Sequence, residues 1–331
     1  MKKALFLSLA ISTMILLSLM TIGTPPTRAA SEYKVYQLVQ PTITSQYVHD
    51  IATNLFGITN PEVQEIDGLY FVNSSYPKYV EVYKVSGSIW YTDWSKMYNE
   101  TYQPTLPSES QALNIADNFL TSHSLKPPEA YFSGFGNTTT EIMGPTNMSI
   151  LNSIDVLYSF KTTDDMPIEG AGAKIRVSLG HGGELIGLHW VWRTLSTSTV
   201  HTAITETEAQ DIYLRRFNWT LVELNKHVAY YAEQGSMAQS YLQPYYIFSG
   251  EIEIEGEQVS LLLDKVPATT FSPQALITSP AHNSKYASGD ALTFTASASK
   301  GLLPYTYTWQ SDVTGLLYQG SSPSFTAVLP I

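Results

Sequence analysis

The sequence predicts an α+β fold: short helices packed on antiparallel β-meanders in two to three similar units, then an incomplete all-β sandwich. Three observations carry this expectation. Apolar residues recur at helical spacing in three windows, the period switches from 3.6 to 2 after each window, and the last 59 residues keep the period of 2.

The helical windows share one signature. Thr44 precedes Val48, Ile51, Ala52, Leu55 and Phe56; Ser108 precedes Ala112, Ile115, Ala116, Phe119 and Leu120; Thr205 precedes Ala209, Ile212, Tyr213 and Phe217. Each set lays one apolar stripe along about three helical turns behind a hydroxyl N-cap. Ser108 with Gln111 and Thr205 with Glu208 also have capping-box spacing, and Gly57 suits the end of the first helix.

Strands are expected at 68–72, 79–85 and 88–94 after the first helix, with Gly87 in the last turn. After the second they fall at 154–160, 173–179 and 184–192, with Gly180, Gly182 and Gly183 turning the chain. After the third they fall at 222–232, 245–254 and 258–263. Glu251, Glu253 and Glu255 alternate with Ile252 and Ile254, the pattern of a strand with one wet face. Helix starts lie 64 and 97 residues apart, too uneven for a solenoid. From Pro273 on, Leu292, Phe294 and Ala296, then Tyr305, Tyr307 and Trp309, alternate with polar residues between turn signals. The boundaries so read are 1–29, 30–106, 107–200, 201–270 and 273–331.

Composition narrows the function. The chain has 331 residues, is 44% hydrophobic and 14% charged, and carries 18 Lys and Arg against 29 Asp and Glu, a net charge of −11. No basic cluster offsets that charge, so nucleic acid is excluded as a partner. The absence of cysteine removes disulfide scaffolds, thiol catalysis and Cys-based zinc sites. Lys2 and Lys3, the apolar run Ala4–Ile22, and Thr27-Arg28-Ala29-Ala30 form the three parts of a secretory signal, with cleavage expected after Ala29. Uncleaved, the same 19 residues are long enough to anchor the chain in a bilayer. Either way the remainder is exported to the cell surface or medium. Cleavage leaves 15 Lys and Arg against the same 29 acids, a net charge of −14. Sequons at Asn73, Asn99, Asn137 and Asn147 are candidate glycan sites, and Asn218, beside an expected helix face, is the weakest of the set.

The second unit resembles a PepSY-like module. The resemblance rests on Ser108 to Leu120, Val156-Leu157-Tyr158-Ser159-Phe160, Lys174 to Leu179, and the turn His181-Gly182-Gly183-Glu184-Leu185-Ile186-Gly187. The third unit, with Tyr245-Tyr246-Ile247-Phe248-Ser249-Gly250, is similar to a second copy. Residues 273–331 resemble extracellular Ig-like or PKD-type modules, with Trp309 in the place of the inward tryptophan and about five of the expected strands. The shortfall predicts a domain cut short at Ile331 with an unpaired edge. Membership of these families implies an exported, non-catalytic protein that binds or restrains a protein partner, often a peptidase, and implies no cofactor.

Motifs for catalysis are missing. No G-x-S-x-G elbow accompanies His181-Gly182-Gly183, and no H-E-x-x-H is present. His181, Glu184 and His189 are too spread along a turn and strand to share a metal. Glu169 to Lys174 is Gly-rich but lacks the flanks of a phosphate loop, and the adjacent Asp164 and Asp165 read as turn residues. Aromatics are the surplus. Trp90 and Trp94, then Trp190 and Trp192, have spacings that put each pair on one strand face, with Arg193 ending the second run. These five residues are the candidate partner-binding set. The expected function is partner restraint. The alternatives are the propeptide and spacer of a hydrolase continuing past Ile331, or an adhesive protein that binds a surface glycan.

Overall fold

The computed structural model describes residues 32–73, 77–142, 148–216, 220–254, 257–281, 284–301, 303–311 and 315–328. The signal segment, Asn147, Phe217 and Asn218 lie outside the described residues, as do the side chains of Asn73 and of Ile252 to Glu255.

In chain order, the first span contains β1 (Glu32–Leu38), α1 (Ser45–Asn54), β2 (Val63–Ile66), β3 (Leu69–Asn73), β4 (Lys78–Tyr83) and β5 (Ile89–Asp93). The second contains α2 (Glu109–Ser122), β6 (Ala130–Ile142), β7 (Met148–Lys161), β8 (Pro167–Glu169), β9 (Lys174–Leu179), β10 (Leu185–Val191) and β11 (Leu195–Thr202). The third contains α3 (Glu206–Arg216), β12 (Thr220–Tyr231), β13 (Tyr241–Leu242), β14 (Pro244–Ile254) and β15 (Glu257–Pro267). The last contains β16 (Gln274–Ser279), β17 (Ala291–Ser299), β18 (Tyr307–Ser311), β19 (Gly315–Gly320) and β20 (Ser324–Val328).

The α+β expectation is overturned: the chain is mostly β, 50% strand against 14% helix, with three short helices laid on large mixed sheets. The helices begin at the expected hydroxyls. Thr44 Oγ1 accepts from Tyr47 N at 3.2 Å, Gln111 Oε1 accepts from Ser108 N at 3.0 Å, and Thr205 Oγ1 accepts from Glu208 N at 3.1 Å. What periodicity did not reveal is how much strand surrounds them. β6 is blurred by Gly134 and Gly136 and by bulges at Phe132/Gly134 and Thr138/Thr139, which break its alternation. β1, β8 and β13 are too short or too polar to announce themselves.

Strands of different spans share one twelve-stranded sheet, ordered β15-β14-β12-β8-β7-β9-β10-β5-β4-β3-β2, with β6 paired to β7. The first and second spans meet where Gly187–Trp190 of β10 pairs antiparallel with Ile89–Thr92 of β5. One face of this central region buries Val80, Val82, Ile89, Tyr91, Leu188, Ile175, Val177, Val156 and Tyr158 under α1 and α2. Val48, Ile51 and Ala52 of α1 and Ala112, Ala116 and Leu120 of α2 supply the opposing stripe. Each fully buried Val, Ile or Leu contributes about 1.5–3 kcal/mol, so these stripes hold the helices down.

The third span makes its own core. α3 lays Ala209 and Tyr213 on β14 and β15, where Tyr213 stacks on Phe248 at 4.5 Å. Its sheet joins the central one through β8, which runs parallel to β12 for only two residue pairs. Close backbone approach reinforces that seam. Gly172 N donates to Ala232 O at 3.0 Å, and a Cβ at Gly172 would lie 1.8 Å from Glu233 O. The Gly-rich stretch Glu169 to Lys174 is therefore a packing device. Glu169 also bonds His227 Nε2 at 2.8 Å, and that bond raises the imidazole pKa although burial opposes it.

A small sheet, β11-β1-β13, ties the beginning of the described chain to the second and third spans. The last 50 or so residues form two further sheets, β16-β17-β20 and β18-β19. Trp309 packs on Phe294 and Phe325 at 5.9 and 5.4 Å, joining the two. Among the described residues β16 and β20 each pair on one side only, and β18 and β19 only with each other.

Replacing Gly172 with Ala forces the seam apart and is expected to destabilise the protein by about 2 kcal/mol or more. Urea unfolding followed by circular dichroism measures it; an unchanged midpoint would show that the seam yields freely.

Candidate binding face

The candidate tryptophans divide between the two faces of the central sheet. On β10, Leu188, Trp190 and Trp192 point toward the helices. Trp192 is 4% exposed and stacks on Phe160 at 4.3 Å, and Trp190 donates from Nε1 to Leu125 O at 2.7 Å. Both serve the core. Trp90 alternates to the other face of β5, where it is 40% exposed, and Trp94 just beyond the strand is 41% exposed. Arg193 is 4% exposed and donates to Glu233 O, Gln234 O and Met237 O at 2.8, 3.0 and 2.5 Å. Its place is structural, clamping the loop after β12.

Register defines the face that helices leave uncovered. Directly opposed residues of antiparallel strands share a face, so one row crosses six strands: Phe71, Glu81, Trp90, His189, Arg176 and Leu157. Trp90 lies 5.0 Å from the His189 ring and is steadied by an Nε1 bond to Thr92 Oγ1 at 3.0 Å.

Both ends of this face are tied down. At one end the chain after β5 folds across it: Met97 is buried against Gly187, whose Cβ would sit 2.5 Å from Met97 Cε. Glu184 anchors that crossing, accepting from Lys96 Nζ at 2.5 Å and Tyr102 Oη at 2.7 Å. Burial works to raise the Glu184 carboxyl, but the Lys96 and Tyr102 partners hold it below its usual range. Asn152 Nδ2 adds bonds to Asn99 O at 3.0 Å and Tyr102 O at 3.2 Å. Within this crossing the exposed Trp94 packs on the exposed Tyr98 at 5.7 Å. At the other end the Arg193-clamped loop closes down, and Ser86 Oγ donates to Gly235 O at 2.7 Å.

Between that loop and the sheet lies a half-open cavity of about 220 Å³, lined by Tyr83, Ile89, Trp90, His189, Val191 and Gln234 among others, none of them charged at neutral pH. Burial first, then the charges of Arg176 and Lys174, lower the His189 pKa to about 4. The imidazole is therefore a neutral ring at physiological pH, usable for stacking and hydrogen bonding. Beside it, Lys174 and Arg176 project from β9 onto the same face, opposite Val191 and His189. Sequence spacing alone does not single out Tyr83, Lys174 or Arg176; the Lys-x-Arg alternation of β9 was the available signal.

The candidate catalytic and metal-binding residues are held apart. His181 Nδ1 accepts from Thr105 N at 3.1 Å and Glu184 is held by Lys96 and Tyr102, so His181, Glu184 and His189 have separate tasks. Among the described residues no three His, Asp or Glu gather as a metal site. Asp164 and Asp165 pair with Lys34 and Lys161 at 2.8 Å each. Of the sequons, Asn137 is exposed on β6, whereas the Asn99 amide is occupied by Ser95 O and by Thr101 N and Oγ1. Among the described residues no helix is long and apolar enough to cross a membrane.

No protein-family model and no curated protein matches the sequence. Several solved structures are similar, among them two at low identity. One is an uncharacterized protein from Eubacterium rectale, 10% identical over 73% of this chain and 84% of that one, with a TM-score of 0.42. The other is the Bacillus megaterium YpeB C-terminal domain, 11% identical over 68% of this chain and 98% of that one, with a TM-score of 0.34. At these scores neither assigns a function.

His189 gives the face a pH signature. Between about pH 6.5 and 4 the unfolded chain takes up a proton that the folded imidazole refuses. Its contribution to stability is thus complete above about pH 6.5 and is lost as the pH falls through about 4. In urea melts at pH 7 and pH 4.5, the His189→Gln variant is expected to lose less stability on acidification than the parent chain; equal losses would place the burden elsewhere.

Proposed function

We propose that this chain is an exported, non-catalytic binding protein whose open sheet face holds a protein partner, with a secreted peptidase as the first candidate. The observation that supports this reading is a pair of exposed indoles, Trp90 on the face between two fastened flanks and Trp94 on the segment that closes one of them. A sheet with one face roofed by helices has no structural need for large aromatics on the other. Exposed tryptophans in rigid surroundings are the residues that dominate protein interfaces. The peptidase candidate comes from the PepSY-like resemblance, and export from the N-terminal segment. The open face carries no convergent nucleophile, base and oxyanion donor among the described residues, which favours restraint over turnover.

The test measures binding of the mature chain to peptidases secreted by the same organism, with inhibition as a second readout. Trp90→Ala and Trp94→Ala together are expected to weaken binding at least tenfold, about 1.4 kcal/mol, with circular dichroism unchanged. A chain that ignores every such peptidase yet is retained on a glycan array would replace this reading with the adhesive one.

A further inference from the structure

We infer that the open face recognises an extended acidic segment of its partner, seating an apolar side chain in the Trp90–His189 cavity and a carboxylate two residues away on Arg176 and Lys174. This deepens the proposed function and rests on it.

Two independent features converge on that occupant. The first is the cavity, about 220 Å³, half open, with a mainly apolar lining of Ile89, Val191, Trp90 and the neutral His189. It has the size and chemistry for one aliphatic or aromatic side chain. The second is charge. In a chain with 29 acids to 18 bases, cations are scarce, and most of those among the described residues are used. Lys34, Lys84, Lys96, Lys126, Lys161, Lys226, Lys265 and Lys300 each hold a carboxylate, and Arg193 is spent on three carbonyls. Lys174 and Arg176 hold none among the described residues, although they stand two apart on one face of β9. Two like charges left side by side repel each other, and an acid from outside removes that repulsion.

Spacing fixes the register of the guest. The cavity floor lies between Trp90 on β5 and His189 on β10, and Arg176 is opposite His189 on β9. Strands sit about 4.8 Å apart, so the floor is about 7 Å from Arg176 along the row. In an extended peptide, alternate side chains on one side are also about 7 Å apart. An apolar residue and a Glu or Asp at positions i and i+2 therefore reach both places from a segment lying across the strands. The floor is a sheet face, whose amides are all used, so side chains rather than backbone pairing carry the recognition.

The experiment selects displayed random dodecapeptides on the immobilised full-length mature chain and titrates the winners by fluorescence anisotropy. Enrichment of an apolar-x-acidic pattern is expected. Binding should weaken about three- to tenfold when the acid becomes its amide, when Lys174→Gln and Arg176→Gln are combined, or when NaCl rises from 0.05 to 0.5 M. Trp90→Ala should remove it. No enriched peptide, or winners that are basic or uncharged, overturns the inference. If a partner found through the Trp90 and Trp94 variants binds the Lys174→Gln/Arg176→Gln chain undiminished, the acidic-segment inference fails while the binding face stands. Loss of partner binding in neither set of variants defeats the binding face itself.

Discussion

The central sheet and its open face depend on the antiparallel pairing of β5 with β10. Four residue pairs, Gly187–Trp190 with Ile89–Thr92, convert two helix-bearing meanders into one sheet. Both helices then lie on the same side. Had β5 slipped by one residue against β10, Trp90 would face the helices and Ile89 would face water. The apolar burden of Ile89, Tyr91 and Leu188 makes that slip costly, so core packing is what aims the outer aromatics.

The bare face stays bare because its flanks are fixed by polar contacts rather than by more apolar cover. Glu184, Lys96, Tyr102 and Asn152 hold one crossing segment, and Arg193 holds the loop at the other end through three carbonyls. A buried guanidinium bonded to backbone oxygens imposes direction on a loop in a way that an apolar plug does not. The cavity beside Trp90 is the gap left between the Arg193-clamped loop and the sheet.

Much of this architecture was legible in the residues. Hydroxyl caps at Thr44, Ser108 and Thr205 placed all three helix starts, because capping is a local transaction. Alternation marked β3, β4, β5, β9, β10, β12 and β14 for the same reason. The balance of helix and strand was not legible: β6 carries glycines and bulges that scramble its period, and β1 and β13 gain strand geometry only from distant neighbours. The tryptophans show the same boundary. Spacing correctly paired Trp190 with Trp192, but which side of a sheet a pair faces is settled by helices elsewhere in the chain. Lys174 and Arg176 look like ordinary wet-face residues until the carboxylates are seen to be engaged with other cations.

The bulges of β6 have a consequence for how molecules of this protein meet. β6 is thirteen residues long and, among the described residues, pairs only with β7. A straight rim of that length would template the strands of a neighbouring molecule. Two dislocations, at Phe132/Gly134 and Thr138/Thr139, interrupt the even run of amides and carbonyls. A second chain docking along that rim loses step after a few residues, which favours dispersed molecules over fibrous stacks at high concentration.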